Sequence, residues 1–140
     1  MPAIRQELAR LDLDANCDET TSTCFFTRKL GTGGRSFDFG IRYCRTTETV
    51  YVYIERFLAL PSTDGPTIEL ARRLLELNRR MVTAKLEWDR PTNSIWLSVV
   101  INTDSNFDRR AFRSQLKGLF ANAGRLWPEL DSLTRPSTSQ

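Results

Sequence analysis

Apolar and polar side chains alternate almost without a break between Ser36 and Phe57, and that pattern limits the possible folds more than any other feature. A period of two marks a strand with one buried face. In Ser36–Arg45, Phe37, Phe39, Ile41 and Tyr43 share one side, while Asp38, Gly40, Arg42 and Cys44 share the other. In Thr49–Phe57, Val50, Val52 and Ile54 oppose Tyr51, Tyr53 and Glu55. Only Thr46, Thr47 and Glu48 separate these runs, so they pair antiparallel. The aromatic run Cys24–Leu30 predicts a strand before them, joined by a turn at Gly31–Gly34.

The rest of the chain changes period. Residues 2–13 carry Ile4, Leu8 and Leu11 at helical spacing, and the polar stretch Asp14–Thr23 reads as a loop. Thr67–Met81 predicts a helix entered through Gly65-Pro66, with Asp64 or Thr63 as N-cap. Val82–Trp88 alternates again, and Ile95–Ile101 is apolar on both faces except at Ser98. A last helix runs from Arg109 to about Leu130, capped by Asp108 and broken near its end by Pro128. The order α-β-β-β-α-β-β-α predicts an α+β fold, with helices packed on a mostly antiparallel, five-stranded sheet. It forms one domain over residues 1–133, and the polar tail 134–140 is expected to be disordered.

Composition bears on chemistry chiefly through an absence: there is no histidine. Ser-His-Asp and Cys-His catalysis and histidine metal sites are thereby excluded. The glycine turn has no Lys-Ser or Lys-Thr after it, so it is not a phosphate loop. The carboxylate pairs Glu87/Asp89 and Asp12/Asp14 lack an apolar setting and read as solvated surface, and Asp104 and Asp108 read as helix caps. No enzyme, cofactor or metal is expected. Cys17, Cys24 and Cys44 are odd in number with no Cys-x-x-Cys pair; Cys24 and Cys44 are expected to behave as small core hydrophobes, and Cys17 to be exposed. No apolar run is long enough for a membrane helix or a signal peptide, so the expected location is cytoplasmic, with no membrane partner.

Two features suggest partners. Helix 67–81 is apolar over more than half its circumference. If Ile68, Ala71, Leu74 and Leu75 face the sheet, then Leu70, Leu77 and Met81 are left for a two-fold interface rimmed by Arg73 and Arg80 or by Glu69 and Glu76. Trp96 and Val100, opposite the apolar set of the last strand, make a client surface. The alternative reading is nucleic-acid binding. It uses Arg109, Arg110, Arg113 and Lys117 of the last helix, with Tyr51 and Tyr53 as stacking platforms.

The run Leu74-Leu75-Glu76-Leu77-Asn78-Arg79, followed by two alternating strands, resembles the bacterial sensory-transduction-regulator family (YbjN-like). The pattern Leu116, Leu119-Phe120, Ala123, Leu126-Trp127-Pro128 and Leu130 resembles that family's last helix. The order of elements is also that of type III secretion chaperones. The resemblance implies a small, non-enzymatic homodimer that presents apolar grooves to an extended, unidentified client protein. At Asn78 it implies a side chain that ties backbone groups. Such chaperones are typically acidic, whereas this chain carries +3.

Overall fold

In the computed structural model, residues 1–31, 33–103 and 106–135 are described. The chain runs α1 (Pro2–Arg10), β1 (Asn16–Asp18), β2 (Thr23–Leu30), β3 (Arg35–Cys44), β4 (Thr49–Ala59), α2 (Ile68–Arg80), β5 (Ala84–Asp89), β6 (Ser94–Asn102) and α3 (Arg109–Thr134). The fold is α+β. Its antiparallel sheet has six strands, not five, in the order β1-β2-β3-β4-β6-β5. The extra strand, β1, lies in the stretch expected to be a loop. It is only three residues long and pairs Cys17 directly with Cys24.

The period-two pattern sets which face is covered. Phe37, Phe39 and Ile41 of β3 and Val50, Val52 and Ile54 of β4 turn to the helical side and are buried. Leu86 of β5 and Ile95, Leu97 and Val99 of β6 join them. Helix α3 crosses β2, β4 and β6, α2 lies beside β5 and α3, and α1 rests on α3. Phe26 stacks on Phe39 at 4.9 Å, and Phe120 of α3 meets both rings edge-on. The opposite face of the sheet carries no described helix. Strand β4 outruns its expected end through a bulge. Its register shifts between Ile54 and Leu58, and Arg56 takes a positive φ of 51°, which lets both Phe57 and Leu58 bury.

Two helix ends differ from expectation. The cap of α2 is Thr67, whose hydroxyl accepts from the Leu70 N–H at 3.2 Å; Asp64 and Thr63 lie too far upstream. Helix α3 passes through Pro128 and reaches Thr134, the first residue of the expected tail. Leu126 and Leu130 are buried on either side of the proline, and that packing outweighs the one missing N–H. The expected tail beyond Arg135, and the cap proposed at Asp104, lie outside the described residues. No described helix is long and apolar enough to cross a membrane.

Candidate interaction surfaces

Helix α2 is turned the other way from the sequence expectation. Leu70 and Leu77, expected at a two-fold interface, are 0% and 5% exposed and belong to the chain's own core with Leu74. The outward side chains are Ile68 at 70% and Leu75 at 71%, and Val82 just past the helix is more exposed still. The arc 70/74/77 fits against the sheet because Asn78 fixes the helix rotation. Its side-chain amide donates to the Leu86 carbonyl at 3.0 Å, and its carbonyl oxygen accepts from the Leu86 N–H at 2.7 Å. Asn78 therefore ties backbone groups, as the resemblance implied. Met81 is half-buried. Arg73 is held by Glu129 of α3 at 2.6 Å and by Glu76, and Arg80 pairs with Glu76 at 3.0 Å. Arg73 thus braces two helices of one chain.

The uncovered face of the sheet gathers Tyr51, Tyr53, Trp96 and Val100. Tyr53 stacks on Tyr51 at 5.0 Å and on Trp96 at 5.3 Å, and the Arg42 guanidinium lies 5.6 Å from the Tyr51 ring. The Tyr51 hydroxyl donates to Glu87 Oε2 at 2.9 Å, and the buried Ser98 hydroxyl donates to the same oxygen at 3.1 Å. Burial, with Glu87 alongside, pushes the Tyr51 phenol up to about 12. Burial and Glu55 raise Tyr53 as well. Val100 pairs opposite Tyr51 and is exposed. The residues expected separately as client surface and as stacking platform therefore form one patch.

The basic residues of α3 do not join that patch. Tyr51 and Tyr53 point away from the side that α3 covers. Arg109 and Arg113 lie 3.3 and 3.4 Å from the fully buried Glu7 of α1, which Arg10 also meets at 2.9 Å. A buried carboxylate requires such partners, so these arginines dock α1 onto α3. Only Arg110 and Lys117 of the four point freely outward. The open sheet face itself carries Lys29, Arg42 and Lys85 against Asp38, Glu55, Glu87 and Asp89, which is no basic platform. The expected nucleic-acid constellation is split across two faces of the molecule.

Sequence reasoning missed the edge of β2. Strand β1 covers only its first residues, Thr23–Phe25. Along Phe26–Leu30, no described strand pairs on the outer side. A cleft of about 490 Å³ lies over the β2–β3 pair beside the start of this stretch, lined by Asp14, Phe25, Phe26, Thr27, Asp38 and Phe39. Phe25 stands 47% exposed in it. Sequence reasoning also missed the bond that holds β1: Cys17 and Cys24 form a disulfide, and Cys44 is the free cysteine. Cys24 is buried as expected, but as half of a cross-link.

No family model matches the chain, and no curated protein does. Solved structures do. A chain of the ExsC–ExsE complex superposes with a TM-score of 0.67 at 14% identity, over 99% of this chain and 94% of that one. A chain of the HopA1–SchA chaperone–effector complex gives 0.58 at 17% identity, over 89% and 88%. The fold is chaperone-like. At these identities the likeness establishes architecture, not activity.

Proposed function

We propose that this chain is a non-enzymatic protein-binding module. It works as a homodimer and holds an extended segment of a client protein along the bare edge of β2. The observation that carries this reading is that edge: backbone groups of Phe26–Leu30 without a neighbouring strand, beside a cleft with an exposed phenylalanine. An unpaired edge is a template for a strand from another chain, and the cleft supplies specificity for its side chains. Asp14 and Asp38 at the cleft favour a client segment with a basic residue beside an apolar one. One of the structural neighbours is a chain of a chaperone–effector complex, and that likeness points the same way. The resemblance to bacterial regulators and the cytoplasmic location belong to the same proposal. The second copy is assigned to the outer arc of α2. Ile68 and Leu75 are flanked there by Glu69, Glu76, Arg72 and Arg79, so an antiparallel copy sets acid against base.

The test is affinity co-purification from the source cell, with Phe25→Asp run in parallel. A stoichiometric protein partner that wild type retains and Phe25→Asp loses is the expected outcome. Capture of no such partner, or equal capture by both, contradicts the reading.

A further inference from the structure

The Cys17–Cys24 disulfide sits at the middle of the covered part of the β2 edge, one residue short of the last covered position, Phe25. We propose that it is a redox latch: oxidised, it holds β1 on the start of β2; reduced, it lets β1 leave. The bare edge then grows from Phe26–Leu30 to the whole of Thr23–Leu30. As regulation of the client edge, this rests on the protein-binding reading; as a movement of β1, it stands alone.

Besides the disulfide and its pairing with β2, strand β1 is held by partial packing of Cys17 and the neighbouring Ala15 on the core and by an exposed Arg5–Glu19 ion pair at 3.5 Å just past it. It is three residues long, Asn16 and Asp18 are exposed, and β2 is the only described strand it pairs with. So short a strand is marginal in water without a further tether. The disulfide supplies that tether at the middle of the three pairs, between residues directly opposite in register. By closing the ring from Cys17 to Cys24 it removes part of the freedom a detached β1 would gain. The remaining strands are held by longer ladders, and Cys24 keeps its core position in either redox state.

The two sulfurs differ in access. Cys24 is fully buried and Cys17 only partly so, which makes Cys17 the point of attack. A thiolate of a dithiol reductant attacks the Cys17 sulfur and the S–S bond breaks. The electron pair passes to the Cys24 sulfur, which takes a proton from water. The reductant's second thiolate then closes its own disulfide and releases Cys17, which is protonated in turn. Two electrons pass from the dithiol to the protein. In the cytosol, bonds of this kind are transient and redox-sensing, whereas in oxidising surroundings they persist.

Hydrogen exchange on the chain before and after treatment with dithiothreitol tests the latch, with Cys17→Ser as an untreated mimic of the reduced state. A thiol count should give Cys44 alone in the air-oxidised chain and all three cysteines after reduction. On reduction, exchange at Asn16–Asp18 should rise about tenfold or more, while β4 and β6 stay unchanged. Equal exchange at β1 in both redox states overturns the proposal, as do three free thiols in the air-oxidised chain. If Cys17→Ser fails to fold, the reduced wild type carries the test. Because no client is present, failure here is distinct from failure to capture a partner.

Discussion

Gly40, in the middle of β3, decides how the open face of the sheet is filled. It pairs across from Tyr53, and a Cβ built on it would stand 2.3 Å from the Tyr53 ring. The ring therefore lies on the glycine, buried, and Tyr51 and Trp96 stack on its two sides. That Gly40 and Tyr53 point to the same face of their strands is legible from the alternation. That they are partners is not, because register depends on the length of the turn between them. The same holds for Tyr51 and Glu87, which come from strands far apart in sequence. The phenol offers a measurement. Its value in the folded chain, about 12, lies above the ordinary 10, so the fold favours the neutral form. This contribution to stability is complete below about pH 10 and is lost as pH rises toward 12. Absorbance titration near 295 nm should show a tyrosine step near 12 that Tyr51→Phe removes.

At the scale of elements, α2 explains where reading the sequence stops. Ile68, Leu70, Leu74, Leu75 and Leu77 cover too wide an arc for periodicity to say which side is inside. The choice is made by the pairing of Asn78 with Leu86, a contact with the next strand that no helical pattern contains. Asn78→Ala leaves the Leu86 N–H and C=O without that partner and should cost about 1–3 kcal/mol, read from the midpoint of urea unfolding. A loss near zero would mean that packing of Leu70, Leu74 and Leu77 sets the rotation alone. Strand β1 escaped notice for another reason. Three residues in a polar stretch give too little alternation to register, and no Cys-x-x-Cys spacing marks Cys17 and Cys24 as partners. The seven-residue spacing of Cys17 and Cys24 around the polar turn Glu-Thr-Thr-Ser was the one signal available. The long strands and helices were plain because each repeats its period over two turns or more, and only their ends moved.

For the whole molecule, the core is complete inside one chain. Phe112, Leu116, Leu119 and Leu130 of α3 close it over the sheet, and Glu7 with its arginines locks α1 down. Apolar surface left over after such a core is assigned to contacts with other proteins. It comprises Phe25, Trp88 and Val100 on the strands, with the half-buried Trp96, and Ile68, Leu75 and Val82 on and just past the outer arc of α2. The central claim is that these surfaces serve proteins, and the arc of α2 tests it without any client. Burying a leucine or isoleucine contributes about 1.5–3 kcal/mol, so two carboxylates placed there should abolish pairing. Multi-angle light scattering at micromolar concentration measures this directly. The account predicts a dimer for wild type and a monomer for the double change Ile68→Asp and Leu75→Asp, with unchanged circular dichroism. A wild-type monomer, or a dimer that survives the double change, would contradict it.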